Sequence, residues 1–535
     1  MLLLEIALVF ALTLYYYTKE RRALHMLQQN LYNENNRYVK WVIKNKRIAF
    51  GYFDIFLIVL LLATVLVQEV PVYRNIFMIL MIVFAITELY YLMNALKNEK
   101  TKKPLVTTAR IKRLWITLFI LFLVPAILIF VNEELRFIMF AIMMIEIVLA
   151  FPMAFLANVI NKPVEKCVYM HFAHQAKKKL AGMSQLKIVG ITGSYGKTSS
   201  KNILNDILSI KYITKPSPKN FNTYPGLMVT VNNYLDKFDE VFIAEMGAYA
   251  RGDIKQLCDL VHPKYGILTT IGTAHLESFG SEENIQKGKF ELIESLPEDG
   301  VAVLNGDDPK QTSYEIQNPC KKIWIGIKNH DVDYYATDIK CNSKGTKFTL
   351  HVKGDKETYE FETKLLGEYS VYNILAGIAL GREFGIKFKD LQTSVHRVKP
   401  VEHRLEIKKL GNMYQIDDAY NSNPVGAKMA TEVLGMMPGT KVVVTPGMIE
   451  LGEKEEEYNR IFGTQIAKVA DYVVLVGEKR TKPIYKGLLD AGYEKDNIFI
   501  INDVRDAYPL ISNKLKGQDD IYALFENDLP DTYNE

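Results

Sequence analysis

Apolar runs fill most of the first 160 residues, and nothing else in the chain limits its fold as much. They cover about 50–69, 73–96, 114–131 and 136–160, with a shorter run from Leu2 to Tyr17. A helix that crosses the ~30 Å hydrocarbon core of a bilayer needs roughly 20 apolar residues, and the four later runs meet that length. The first run holds an acidic Glu5 and has no basic stretch before it. It is followed by Lys19, Arg21 and Arg22 rather than by a small-residue cleavage site. That pattern predicts an uncleaved span, not a signal peptide. Five helices are expected in a transmembrane domain over residues 1–160.

Basic residues orient the spans. The segment 19–47 carries Lys19, Arg21, Arg22, Arg37, Lys40, Lys44, Lys46 and Arg47. The segment 97–113 carries Lys97, Lys100, Lys102, Lys103, Arg110, Lys112 and Arg113. The connections near 70–75 and 131–136 are short and nearly neutral. Positive charge gathers on the cytoplasmic side, so five spans with the N-terminus outside place everything after Asn161 in the cytoplasm. The expected location is the plasma membrane, multi-pass, with the catalytic domains cytoplasmic. A buried helical domain of a soluble protein would not produce this alternation of basic and neutral loops. Glu88 and Glu146 lie within apolar stretches, where a carboxyl group either meets a polar ligand or faces the interior of the bundle.

Residues 161–184 read as a basic connector with Lys166, His171, His174 and Lys177 to Lys179, either beside anionic lipid or as a solvated linker helix. The formal net charge of the whole chain is only +4, and no nucleic-acid partner is expected. The cysteines Cys167, Cys258, Cys320 and Cys341 form no CxxC pair and have no histidine at metal spacing, so they read as reduced thiols.

From Leu186 the pattern changes to short apolar strands alternating with helices, which predicts α/β architecture with a mostly parallel sheet. Strands are expected at 186–191, 241–245, 265–270 and 301–304. Between the first of them and a helix beginning near Lys201 lies Gly190-Ile-Thr-Gly-Ser-Tyr-Gly-Lys-Thr-Ser-Ser200. Strand, glycine loop and helix together form the context of a phosphate cradle, or P-loop. Backbone N–H groups of Gly193, Ser194, Gly196 and Ser199 would face a polyphosphate, with Lys197 as a point charge and the Thr198 hydroxyl on Mg²⁺. The strict GxxxxGK[ST] pattern is not met, because Ile191 stands where its first glycine belongs. In open α/β sheets ligands collect at the carboxyl ends of the strands. That rule puts Lys197, Glu245, the loop around His275, and Asn305 on one rim. The alternation turns antiparallel-like over 323–363, and a helix follows at 370–384. Strands of a second α/β unit are expected at 413–416, 441–444, 472–476, 498–501 and 521–525. The organisation expected is an α-helical transmembrane bundle (1–160), the connector (161–184), a P-loop parallel-sheet ATPase domain (185–397) and a smaller C-terminal Rossmann-like α/β domain (398–535).

TGSYGKT (192–198), AEMGA (244–248), IGTAHLESFGS (271–281), LNGDDP (304–309), YNILAG (372–377), HRLE (403–406) and DDAYNSNP (417–424) stand in the order seen in Mur ligases. Over roughly 186–500 the chain resembles that family of ATP-dependent amide ligases of peptidoglycan precursor synthesis. Its motifs are most like those of the branch that adds D-alanyl-D-alanine to a UDP-linked muramoyl tripeptide. The resemblance implies that a substrate carboxylate attacks the γ-phosphate of ATP, and that an amine then displaces phosphate from the acyl phosphate. It implies ATP and Mg²⁺ as cofactors, with Lys197 and Thr198 at the phosphates and Glu245 and His275 as ligands of a second Mg²⁺. It further implies a lysine that carries a carbamate, for which spacing favours Lys287 over Lys289. Asn305, Asp308 and Asn373 would lie on the nucleotide side. Arg404 and Asp418 would close onto ATP from the C-terminal domain, and Asn220 and Asn222 would face substrate. Asn421 and Asn423 belong to the same motif without an assigned role.

Three departures limit the substrates. The family's UDP-sugar-binding domain is replaced by apolar spans. Tyr369-Ser370 stands where that branch has His-Asn. The chain ends in DIYALFENDLPDTYNE instead of the branch's lysine-glycine-serine-arginine strand end. The expected function is a membrane-anchored ATP-dependent amide ligase. It would join an amino acid or short peptide to a carboxylate held at the bilayer, on a lipid-linked or cell-envelope glycan precursor. A poly-γ-glutamate-type ligase is the alternative within enzymes. An ATP-driven transporter is the alternative outside them, although no LSGGQ signature is present. The sequence leaves the amine donor and the oligomeric state open.

Overall fold

The computed structural model describes residues 2–51, 54–98, 104–342, 344–419, 422–449, 451–518 and 520–527. Asn421 and the end of the chain beyond Asn527 lie outside the described residues. The chain divides into two compact units between Met170 and His171.

The first unit is helical. Among the described residues three helices are long and apolar enough to cross a membrane: Leu2–Gln29, Pro71–Lys97 and Ala109–Val131. The expected five are not reached. The run near 50–69 forms a helix of only 12 residues, Ile55–Leu66, and at 1.5 Å per residue it covers about 18 Å. The run at 136–160 breaks into Arg136–Val148 and Ala150–Ile160, bent by 93°. The bent pair raises the count to four if it serves as one span. With three or four spans, Pro71–Lys97 alone separates the basic segments 19–47 and 97–113, so they fall on opposite sides and the orientation argument, which needs five spans, holds for neither count. The first helix is longer than its apolar run because Tyr15, Tyr16, Lys19 and Glu20 continue inward and are buried.

Those inward polar groups explain the break. A helix that ends inside an apolar bundle leaves carbonyl groups without donors, which costs several kcal/mol each in hydrocarbon. Lys19 Nζ donates to the Ile147 carbonyl over 2.8 Å, and the Gly51 N–H donates to that of Val148 over 3.4 Å. Lys19 is in turn ion-paired with Asp54, whose other oxygen accepts the Tyr15 hydroxyl. Glu5 pairs with Arg136 at 3.0 Å. Glu146 is buried in the same bundle and Glu88 is half-buried. The outward faces are apolar, and Ile116, Phe119, Ile120, Val124 and Ile127 are each more than half exposed.

The second unit contains two sheets. The larger joins β1 (Lys187–Thr192), β2 (Thr214–Pro216), β3 (Val241–Glu245), β4 (Tyr265–Leu268), β5 (Val301–Asn305), β6 (Lys321–Gly326), β7 (Tyr334–Asn342), β8 (Gly345–Val352) and β9 (Thr358–Thr363). Its order is β2-β3-β1-β4-β5-β6-β7-β8-β9. The strands are parallel from β2 to β7, and β8 and β9 are added antiparallel. β3 and β4 flank β1 on opposite sides, so the chain leaves β1 at a switch in strand order, where a crevice opens at the carboxyl ends.

Parallel strands are covered on both faces and read as apolar runs, as in Val301–Asn305, which is buried throughout. Ile203 and Ile207 of the helix Lys197–Leu208 meet Ile374 and Ile378 of the helix Glu368–Glu383 in the core. That contact is close because Gly377 has no Cβ; one built there would lie 2.5 Å from Ile207 Cδ1.

The smaller sheet joins β10 (Glu406–Leu410), β11 (Met413–Asp418), β12 (Thr440–Thr445), β13 (Tyr472–Val476), β14 (Ile498–Ile501) and β15 (Ile521–Glu526), ordered β10-β11-β15-β12-β13-β14. All pairs are parallel except β10 with β11. The short β2 and the exposed β10 were not legible as strands. The helix Lys162–Ala181 covers most of the expected connector. Lys179 ties its end to the carbonyls of Asn232 and Leu235, at 3.2 and 2.6 Å.

Candidate active site

The loop between β1 and the helix Lys197–Leu208 is shaped by glycine. Gly193 has φ +151°, and a Cβ there would lie 1.9 Å from Thr269 Oγ1. Gly196 caps the helix at φ 79°, in the left-handed region that L-residues avoid. Thr269 braces the loop from β4 by donating to the carbonyls of Thr192 and Tyr195, at 3.1 and 2.6 Å. Ser194 N–H is used by the Thr270 carbonyl, at 2.7 Å.

Lys197 opens the helix and folds its ammonium back onto the loop, 2.8 Å from the Gly193 carbonyl and 3.3 Å from that of Ser194. Burial lowers its pKa, opposed by Glu245 and reinforced by Arg404. The next residue, Thr198, donates its hydroxyl to Glu245 Oε1 at 3.1 Å. Glu245 ends β3 and is buried. Burial alone would raise its pKa, yet Lys201 and Lys197 hold it below the usual carboxylate range. Asn222 donates to Glu245 Oε1 at 2.9 Å, so the loop before the helix Tyr224–Asn233 meets the glycine loop at one carboxylate. Asn220 does not join them; it is exposed, and its carbonyl only closes a turn with the Asn222 N–H.

His275 follows β4 with φ 61°, at the start of the short helix Leu276–Phe279, and its ring tilts against Tyr249 at 4.5 Å. Among the described residues no group of three or more His, Cys, Asp or Glu side chains forms a metal-holding cluster. The oxygen donors Thr198 and Glu245 nevertheless suit a hard cation such as Mg²⁺.

The two lysines after His275, the candidates for a carbamate, differ in burial. Lys287 lies on the outer side of the helix Glu282–Glu294, is 44% exposed and pairs with Glu283 at 2.6 Å. Side chains two positions apart on a helix point about 200° apart, so Lys289 faces inward. It is 1% exposed, with its ammonium 5.4 Å from the Phe279 ring centre. Burial, with Lys197 nearby, puts its pKa well below that of an ordinary lysine.

Asp308 braces two loops. Its Oδ2 accepts the Ile271 N–H at 2.8 Å, and Oδ1 accepts the Lys310 N–H at 3.0 Å, so it binds the loop after β4 to the one after β5. Asn305 is buried and accepts the Asp307 N–H at 2.9 Å. Neither residue lines the cleft between the larger and smaller sheets, although Asn305 lines an adjoining pocket with Tyr369 and Asn373.

That cleft opens between the two sheets. Gly196, Ser199 and Asn373 line it from one side, Arg404, Asp418 and Asn423 from the other, and Tyr195 and Tyr369 add aromatic faces. Burial raises the Asp418 pKa to about 6 against the opposing charge of Arg404. Sequence reasoning singled out neither Lys201, ion-paired with Glu245 at 3.0 Å, nor Glu526. Glu526 ends β15 fully buried, bonded by the Ser422 hydroxyl and by Thr445 Oγ1 at 3.3 Å, and burial raises its pKa to about 8. The spacing of Lys201, four residues after Lys197 on one helix face, was the signal available for it.

A glycine loop closed by Lys-Thr at a parallel-sheet switch point, facing a second α/β domain across an open cleft, defines a two-domain α/β enzyme. Residues 191–381 match the Mur ligase middle domain, and residues 403–524 match the Mur ligase, glutamate ligase domain. The chain belongs to the Mur ligase family, whose members are ATP-dependent, ADP-forming amide ligases.

It is 33% identical over 336 residues to the UDP-N-acetylmuramoyl-tripeptide--D-alanyl-D-alanine ligase of Bacillus subtilis, covering 62% of this chain and 71% of that one. To the Escherichia coli ligase of the same name it is 32% identical, covering 55% of this chain and 65% of that one. Crystal structure I of MurF from Acinetobacter baumannii superposes with a TM-score of 0.61 at 25% identity, over 67% of this chain and 77% of that one. MurF ligase from Thermotoga maritima in complex with ADP gives 0.59 at 26% identity, over 67% and 80%.

Proposed function

We propose that the chain is a membrane-anchored ligase. It converts a substrate carboxylate into an acyl phosphate with ATP and joins it to the amine of an amino acid or short peptide. The convergence of Lys197, Thr198, Glu245 and Asn222 at the carboxyl ends of β1 and β3 carries this reading. ATP would lie in the P-loop, Gly193 to Ser199, with Asn373 beside its base and Arg404 and Asp418 reaching from the Rossmann-like C-terminal domain. Thr198, Glu245 and His275 would hold Mg²⁺, which when bound neutralises phosphate charge. Asn222 would orient the carboxylate. A carboxylate oxygen attacks the γ-phosphorus and ADP leaves; the amine nitrogen then attacks the carbonyl, loses a proton and expels phosphate. Charge gathers on oxygen in both steps, so the fixed cations Lys197 and Arg404 supply most of the stabilisation. Lys289, buried and low in pKa, replaces Lys287 as the lysine suited to carry a carbamate.

The membrane reading rests on the three long apolar helices and on their exposed Ile and Phe side chains, which water would penalise by about 25 cal/mol per Å². Helices stand where the family's UDP-sugar-binding domain would precede the matched residues. The carboxylate acceptor is therefore assigned to the bilayer, as a lipid-linked or envelope glycan, with catalysis on the cytoplasmic face.

The test is phosphate release by detergent-purified protein with ATP and Mg²⁺, given polyprenyl-linked lipid extract and a panel of amino acids and dipeptides. Release that requires one amine plus the lipid fraction supports the proposal. Turnover driven by soluble UDP-muramoyl peptide alone would refute the lipid acceptor. Release without amine dependence, abolished by Lys197→Ala, would favour ATP-driven transport.

A further inference from the structure

Three chain segments meet at Glu245, and a residue outside the proposed chemistry holds them together. Lys201 lies one turn beyond Lys197, with its side chain 2% exposed. Its ammonium stands 3.0 Å from Glu245 Oε2 and donates to the Lys219 carbonyl at 2.6 Å. The other oxygen, Oε1, receives Thr198 and Asn222. The loop carrying Lys219 and Asn222 is fastened to β3 and the residues just after it three times more, first by the Ser217 N–H donating to the Ile243 carbonyl at 2.8 Å. The Ser217 side chain accepts the Glu245 N–H at 3.2 Å, and the Asn222 carbonyl accepts the Gly247 N–H at 2.7 Å.

Burying an ammonium is costly without an opposite charge beside it, and Glu245 stands in that place. The pairing also has a direction. With Oε2 engaged by Lys201, Oε1 is the oxygen turned toward Thr198 and the glycine loop. The same ammonium grips the 217–223 loop through a main-chain carbonyl, so the grip is independent of that loop's side chains.

We infer that Lys201 is a positioning residue for the ligase reaction. It selects the Glu245 oxygen presented to the phosphate side and locks the 217–223 loop to that carboxylate, so that the two halves of the site are set together. This rests on reading the glycine loop as the ATP site.

The test compares full-length wild type, Lys201→Met and Lys201→Arg in detergent. The readouts are amide hydrogen exchange of residues 217–223, binding of a fluorescent ADP analogue without Mg²⁺, and ATP-dependent phosphate release. In Lys201→Met, exchange in the loop rises by about tenfold or more while exchange in β1 does not change. Turnover falls by about a hundredfold, yet ADP affinity stays within about threefold. Lys201→Arg, which keeps the cation, returns loop exchange to within about threefold of wild type. If Lys201→Met does not fold, the double variant Lys201→Met/Glu245→Gln removes both buried charges, and loop exchange is read on it. Unchanged loop exchange in the methionine variants, or turnover that falls only with the folded fraction, would overturn the inference. A wild type that binds no ADP would refute the underlying site reading instead, and loop exchange would still decide whether Lys201 holds the loop.

Discussion

The Thr198 hydroxyl donates to Glu245 Oε1 over 3.1 Å, joining the end of the glycine loop to the end of β3. Both atoms are hard oxygen donors, the ligand type that Mg²⁺ selects. Glu245→Gln keeps the shape and removes the charge. It is expected to lower turnover by about 10²–10³-fold and to raise the Mg²⁺ concentration needed for half-maximal rate. Phosphate release titrated with Mg²⁺ checks this, and an unchanged Mg²⁺ midpoint would count against Glu245 as a ligand.

Lys287 and Lys289 separate cleanly by mutation. Lys287 is exposed and its i,i+4 pair with Glu283 is screened by solvent, so Lys287→Ala should leave rate and stability nearly unchanged. Lys289→Ala should cut turnover by about a hundredfold, with partial rescue by added short-chain carboxylic acids if a carbamate normally stands there. Equal losses in the two variants would refute the exchange of roles.

Gly193→Ala places a methyl group against Thr269 in a backbone region that alanine avoids. The loop must shift, at a cost of order 1–3 kcal/mol. Nucleotide affinity is expected to fall by about tenfold or more, measurable with the fluorescent ADP analogue. Binding that stays at the wild-type level would show that the loop tolerates the shift.

Glu526 links stability to pH. Its pKa rises from 4.5 to about 8, so between those values the folded protein keeps a proton that the unfolded chain has released. Stability therefore falls as pH rises through that window, and the loss is complete above about 8. Glu526→Gln removes the titration. The variant should gain on the order of a few kcal/mol over wild type at pH 9 and nothing near pH 4.5, read as a Tm difference. A Tm difference independent of pH would refute the assignment.

Lys19→Met strands the Asp54 carboxylate and the Ile147 carbonyl inside the bundle. A loss of about 3–5 kcal/mol is expected, and Lys19→Met/Asp54→Asn should recover a large part of it. Thermal unfolding in detergent distinguishes the two.

Much of the α/β unit was legible in the sequence because parallel strands are buried on both faces and read as apolar runs. Tyr472–Val476 and Ile498–Ile501 form strands with the expected bounds. The three residues of β2 carry too short a pattern to read, and β10, Glu-Ile-Lys-Lys-Leu at a sheet edge, has two adjacent lysines that break any alternation. Membrane spans were harder to count, because hydropathy measures apolar length and not where a helix turns. The turn at Leu149 depends on Lys19 and Gly51, which are distant in sequence.

The sequence by itself determined the family and the loop chemistry, because glycine, lysine and threonine at fixed spacing between a strand and a helix permit few other backbones. Tertiary structure alone decided which lysine is buried, that Asp308 braces loops, that Asn220 points away, and that Lys201 holds Glu245. Those outcomes depend on the direction in which each side chain leaves its helix or loop and on what a distant strand places opposite it, and linear spacing carries neither.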